Sequence, residues 1–167
     1  MRRFTAILDA SSKLISYLVL VVLLIPFISI TSEYFKHHDS RLLIGPVVVA
    51  VGLLLCYFYR PKEYGLDNQG LHIIRSINPF LIPLKDIQSI GPVTSKELGF
   101  GIKVLGSGGF LGYFGFFFYR NYGGIWVYAT DQTKMLLITL KNDKRIIISP
   151  SDTEQFMKGF HEIARKL

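Results

Sequence analysis

LISYLVLVVLLIPFISITS (residues 14–32) and LLIGPVVVAVGLLLCYFY (residues 42–59) decide the architecture of this chain. The first run has no charged residue over nineteen positions and the second none over eighteen. A helix needs ~20 mostly apolar residues to cross a bilayer core. Lipid offers the backbone no hydrogen-bond partners, so a spanning segment of this kind satisfies its own amides as a helix. The pattern predicts a membrane helical hairpin in residues 1–59, with helices over about 14–32 and 42–59. It predicts a tethered domain in residues 60–167. Arg2 and Arg3 resemble the start of a signal peptide. However, the apolar run begins late, is long, and lacks a clear small-residue cleavage site, so the first span is expected to be retained.

The short polar loop from Glu33 to Arg41 makes the two helices antiparallel neighbours. Lys and Arg near span ends favour the cytoplasm. Arg2, Arg3 and Lys13 flank the first span, and Arg60, Lys62 and Arg75 follow the second; the loop holds only Lys36 and Arg41. The N-terminus and the domain are therefore expected inside, and Tyr57 and Tyr59 at the interface. Gly45, Val49, Gly52 and Cys56 share one helical face, which predicts close packing on the first span. Pro26 is expected to bend that span. Neither run holds an ionisable Asp, Glu, Lys, Arg or His, which argues against a transporter core.

The whole chain carries a net charge of +7, and residues 60–167 contribute +5 of it. A basic domain beside a bilayer is drawn to anionic headgroups. No nucleic-acid motif accompanies the charge. The single cysteine, Cys56, excludes an intrachain disulfide and a cysteine zinc site. His37 and His38 adjoin in the loop, but nothing completes a metal site, so they read as solvated.

After Pro61 the pattern changes to short strands broken by turns. Strands are expected at Leu71–Arg75, Phe80–Leu84, Ile87–Ile90, Ile125–Ala129, Met135–Leu140 and Arg145–Ile148. Asp67-Asn68-Gln69-Gly70 and Lys141-Asn142-Asp143-Lys144 read as turns. A C-terminal helix over about 150–167 follows, with Ser149 as cap and Pro150 at its first position. Phe156, Phe160, Ile163 and Leu167 form its apolar stripe. Asp152 and Glu154 near its start, and Arg165 and Lys166 near its end, suit the helix dipole.

Two stretches carry a family resemblance. One is Gly106-Ser107-Gly108-Gly109-Phe110-Leu111-Gly112-Tyr113-Phe114-Gly115, followed by Tyr128-Ala129-Thr130. The other is Ile148-Ser149-Pro150-Ser151-Asp152-Thr153-Glu154-Gln155-Phe156. Together they resemble the bacterial pleckstrin-homology (PH) domains found behind membrane hairpins, from roughly Glu63 to Leu167. The resemblance implies a membrane-anchored α+β protein. Its domain would be a PH-like small barrel or sandwich of about seven strands, in two near-orthogonal sheets capped by the C-terminal helix. With the two apolar runs and the Lys/Arg balance, a multi-pass protein of the bacterial inner membrane with its domain in the cytoplasm is expected. The resemblance implies no phosphoinositide site, because no headgroup-binding motif matches.

Residues 106–124 interleave seven glycines with eight aromatics. No Lys-Ser/Thr follows and the G-x-G-x-x-G spacing is absent, so a nucleotide loop is not indicated. Three readings remain: core filling around tight backbone, a protein-binding patch, and membrane contact. For the last, Phe116, Phe117, Phe118 and Tyr119 would meet the interface, with Lys103 and Arg120 near headgroups. Four consecutive aromatics in an extended chain cannot all face one side.

No catalytic constellation or cofactor motif is visible. His72 and His161 lie on different elements, and Glu97 and Asp131 are isolated in sequence. The expected function is a non-enzymatic, membrane-anchored module that binds a protein partner. Sensing of anionic lipid is the first alternative, with Lys62, Arg75, Lys85, Lys96, Lys103 and Arg120 as candidates. A structural subunit of a membrane complex is the second. Neither nucleic acid nor nucleotide is an expected partner.

Overall fold

The computed structural model describes the backbone of residues 1–165 and their side chains, other than that of His37. The chain opens with a short strand, β1 (Arg2–Thr5), where the sequence pattern indicates no element. Helix α1 (Ala10–His37) follows, capped by the Asp9 carboxylate, which accepts from the Ser12 N–H at 2.6 Å. Its 28 residues reach about 42 Å. The helix continues through Pro26, and the nearby hydroxyls of Ser29 and Thr31 bond back to the carbonyls of Ile25 and Phe27. That is how polar side chains are satisfied in an apolar setting. His38 ends α1 in the left-handed conformation.

A 3-10 turn (Ser40–Leu43), capped by Asp39, leads into α2 (Ile44–Tyr59). Alone, α2 would reach about 24 Å; the turn and helix together reach about 32 Å, close to a ~30 Å hydrocarbon core. Both segments are long and apolar enough to cross a membrane, and almost none of either is buried.

The rest forms two sheets and a helix. The first sheet is antiparallel, in the order β1-β2-β3-β4, adding β2 (Pro61–Leu66), β3 (Gly70–Arg75) and β4 (Phe80–Pro83). The second has the order β5-β9-β10-β8-β7-β6. Its strands are β5 (Ile87–Pro92), β6 (Gly101–Gly109), β7 (Gly112–Tyr119), β8 (Gly123–Ala129), β9 (Leu136–Leu140) and β10 (Arg145–Ile148). All its pairs are antiparallel except β8 with β10. The short α3 (Ser95–Leu98) lies between β5 and β6, and α4 (Thr153–Ala164) closes the described chain.

The two-sheet plan with a C-terminal helix is that of a PH-like sandwich, and the sheets do not close into a barrel. Among the described residues the strands number ten rather than about seven. One of the unforeseen strands, β1, comes from the N-terminal flank; two more, β6 and β7, form from the glycine–aromatic stretch.

Alternation along the strands divides the apolar residues between two cores. Ile146 and Ile148 join Tyr64, Leu66, Ile73 and Ile138 between the sheets, and Phe156 and Phe160 of α4 complete this core. Ile147 points the other way, with Phe117, Ile125 and Val127, against Val93 and Leu98. Phe4 of β1 meets Phe156 edge-on at 5.1 Å.

The helix start differs from the sequence expectation. Asp152, not Ser149, caps α4, accepting from the Gln155 N–H at 2.9 Å. Ser149 is buried, and its hydroxyl accepts from the N–H groups of Thr130 and Asp131 at 2.7 and 3.1 Å. A serine taken for a cap thus ties β8 to β10. The expected helix positions Lys166 and Leu167 lie outside the described residues.

Tyr64 is fully buried; its hydroxyl donates to the Tyr128 carbonyl at 2.5 Å and accepts from the Ser149 N–H at 3.3 Å. Burial, partly offset by the Ser149 hydrogen bonds, pushes its phenol up from 10.0 to about 12. The raised value favours the protonated form in the fold. The associated stability is complete below pH 10 and is lost as pH rises towards about 12. Tyr64→Phe is expected to cost about 1–3 kcal/mol in denaturant unfolding of the detergent-solubilised chain. It should also flatten the fall of stability between pH 10 and about 12.

Candidate functional site

The hairpin joins the β-domain at both ends without a free linker. Arg60 alone separates α2 from β2. At the other end, the Asp9 N–H donates to the Thr130 carbonyl at 3.0 Å. The second Asp9 carboxylate oxygen accepts from the Gln132 N–H at 3.2 Å. One turn on, the buried Ser16 hydroxyl accepts from the Leu111 N–H at 2.8 Å and donates to the Ser12 carbonyl at 2.6 Å. The first turns of α1 are therefore bonded to the β6–β7 and β8–β9 connections. Beside α2, the Arg75 guanidinium lies over the rings of Tyr59, Phe80 and Tyr128 at 5.1–5.6 Å. These contacts set the orientation of the domain against the hairpin.

Glycine makes the β6–β7 pairing feasible. Gly106 and Gly115 face each other across it, with φ of 117° and 122°. A Cβ on Gly106 would lie 2.0 Å from the Phe114 carbonyl oxygen, and one on Gly115 would lie 2.1 Å from that of Leu105. Any other residue would clash with the neighbouring backbone.

The aromatic string belongs to strand β7, and its faces separate. Phe117 is buried in the second core, and Tyr119 stacks on it at 6.1 Å. Burial raises the phenol of Tyr119. Phe116 and Phe118 take the opposite face; Phe116 packs on Trp126 at 5.4 Å and Phe118 is exposed. Arg120 is exposed at the β7–β8 turn, and its N–H donates to the Phe100 carbonyl. Lys103 is exposed on β6, within electrostatic range of Cys56 in the last turns of α2.

The register extends the uncovered face beyond the residues singled out from sequence. Ile102 pairs with Phe118, Leu105 with Phe116, and Phe116 with Trp126. These side chains form a row across β6, β7 and β8 on the face that carries Tyr128 towards the first sheet. Phe100, Ile102, Val104 and Leu105 are 74%, 57%, 61% and 67% exposed. The register shift between Lys103 and Leu105 leaves Val104 as a bulge. β6 is an edge strand: among the described residues, no strand pairs with its outer side. Lys103 is the only charge along it. Sequence reading missed this surface because glycines and a bulge hide the two-residue period.

The expected close packing on the first span is not formed at Gly45 and Gly52, while Cys56 is half-buried. A Cβ at either glycine meets no atom within 4 Å. Gly45 instead borders an apolar cleft of about 550 Å³ between the helices, opposite Pro26 and Phe27. The polar residues considered for chemistry have local partners. Glu97 forms a capping box with Thr94, whose hydrogen bonds lower its carboxyl. Asp131 accepts from Thr133, and His72 faces Asp67 at 3.0 Å. His38 is the helix-terminal residue, and the side chain of His37 lies outside the described residues.

Two sheets and a C-terminal helix form a sandwich in which, among the described residues, no group of three or more His, Cys, Asp or Glu is placed to hold a metal ion. Residues 62–163, more than half of the chain, match the family model of the bacterial PH domain, and the protein belongs to that family. Comparison with curated proteins and with solved structures returns no match. PH domains are generally non-catalytic modules that bind proteins or lipids.

The capping bonds at Asp9 are central to the junction. Asp9→Ala is expected to cost about 1 kcal/mol and to speed amide hydrogen exchange at Ser12 and Gln132 in the full chain. Unchanged exchange at Gln132 would contradict the docked geometry.

Proposed function

We propose that this chain is a non-enzymatic, membrane-anchored interaction module that binds a protein partner by extending its second sheet at β6. The outer side of β6, which no strand pairs among the described residues and along which Phe100, Ile102, Val104 and Leu105 are exposed, carries this reading; its Gly109 end lies against Ile15 of α1. Natural sheets guard their edges with charges, prolines or covering elements. An extended partner segment would satisfy the free amides and carbonyls, and its apolar side chains would cover Ile102, Leu105 and Phe118.

Burial of this edge in hydrocarbon is disfavoured, because its unpaired backbone groups would find no partner there. Phe118 and Trp126, on the face rather than the edge, remain suited to the interfacial zone. The sequence-indicated lipid contact through Lys103 and Phe116–Arg120 would then rest on Lys103, Phe116, Phe118 and Arg120, since Phe117 lies in the core and Tyr119 stacks on it. A second reading, binding of anionic lipid, has separate support from cations where both helices enter the domain.

The balance of Lys and Arg supports a bacterial inner-membrane location, with the domain and N-terminus in the cytoplasm. A photo-crosslinking residue at Val104 is expected to give a protein adduct in native membranes, whereas one at Asn142 should not. Adduct mass separates a second copy from another protein; lipid adducts alone, or none, would defeat the reading. For orientation, an impermeant thiol reagent applied to protoplasts should label Asp39→Cys and spare Asn142→Cys. The reverse pattern would invert the topology.

A further inference from the structure

We propose that the pocket where both membrane helices meet the β-domain, framed by Lys13, Arg60 and Lys62, holds the phosphate of an anionic phospholipid headgroup. The pocket has a volume of about 270 Å³ and is also lined by Leu8, Leu111 and Thr130. Its three cations come from the start of α1, the α2–β2 junction and the start of β2. Only the fold brings them together, since Lys13 is separated from the other two by the entire hairpin.

Two observations favour an anion from a lipid. First, none of the three has an acidic partner among the described residues. The nearest candidates are engaged elsewhere: Glu63 faces Arg3 at 3.5 Å, and both Asp9 carboxylate oxygens accept backbone N–H groups. Three cations around one pocket repel each other, and a bound phosphate would relieve this. Arg offers a forked pair of donors and Lys a point charge, a combination suited to phosphate oxygens.

Second, the depth is right. The Arg60 guanidinium lies 4.8 Å and the Lys62 ammonium 5.6 Å from the centre of the Tyr57 ring, in the last turn of α2. Tyrosines at the ends of spans sit at headgroup level, so the ring holds both cations at the depth of lipid phosphates. Leu14, Tyr17 and Leu18, exposed just beyond Lys13 on α1, offer an apolar surface to acyl chains. The inference rests on α1 and α2 being spans. It is independent of the β6 edge.

Native mass spectrometry of the full chain in detergent tests it, with phosphatidylglycerol and phosphatidylcholine as probes and inorganic phosphate as competitor. The wild-type chain should retain one phosphatidylglycerol in preference to phosphatidylcholine. Each cation removed should weaken retention about five-fold, so K13Q/R60Q/K62Q should weaken it about 100-fold. K141Q/K144Q/K158Q removes the same charge from exposed positions elsewhere and should leave retention unchanged. K13R/R60K/K62R should keep most of it, and thermal unfolding of each variant identifies any that fails to fold. Equal loss in both Gln variants, undiminished retention in K13Q/R60Q/K62Q, or equal retention of phosphatidylcholine would overturn the proposal. Displacement of the lipid by millimolar inorganic phosphate would assign the pocket to free phosphate instead.

Discussion

The pairing of β1 with β2 is the constraint on which the rest depends. Arg2 faces Leu66 and Thr5 faces Glu63, so two strands at opposite ends of the apolar helical hairpin are antiparallel neighbours. The hairpin is thus a long connection inserted between adjacent strands. Its two ends must leave and re-enter the domain side by side, as antiparallel helices with a short outer turn do. The buried Phe4 and the 2.8 Å Arg2–Glu162 ion pair hold β1 against α4 as well as β2. The ion pair is exposed and contributes little, whereas Phe4 supplies a full aromatic contact to the core.

From that clamp follows the rigidity of the junction. A domain on a flexible tether would sample all orientations to the bilayer. Here Asp9, Ser16 and the rings around Arg75 bind both helix ends to the domain, so a limited set of surfaces can face the headgroups. The open β6 edge and the cation pocket are consequences of this arrangement. One presents backbone groups that need a strand; the other presents charges that need an anion.

The glycine–aromatic stretch combines structure and surface in one strand pair. Gly106 and Gly115 let two backbones approach where a Cβ would collide, and the aromatics between them divide by parity. Phe117 and Tyr119 build the second core, while Phe116 and Phe118 extend an apolar face past the cover of the first sheet. The core reading of this stretch is embodied on one face, and the opposite face leaves Phe118 exposed.

Much of the fold was legible because its signals are local. An apolar run long enough for a bilayer, an Asx turn at Asp67, a hairpin at Asn142-Asp143 and a helical stripe through Phe156 and Phe160 depend on residues a few positions apart. The sequence by itself determined two helices long and apolar enough to cross a membrane, six strands and the C-terminal helix, together with the resemblance to the PH family. It did not reveal β1, because a four-residue strand has no periodicity to read and exists only through its distant partner β2. It hid β6 behind glycines and a bulge, and misjudged Ser149, whose hydroxyl serves β8 rather than its own helix. The convergence of Lys13 with Arg60 and Lys62 was likewise decided only in three dimensions. Bringing Lys13 beside two residues beyond the hairpin requires the strand pairing that closes it, and long-range pairing leaves no mark in local composition.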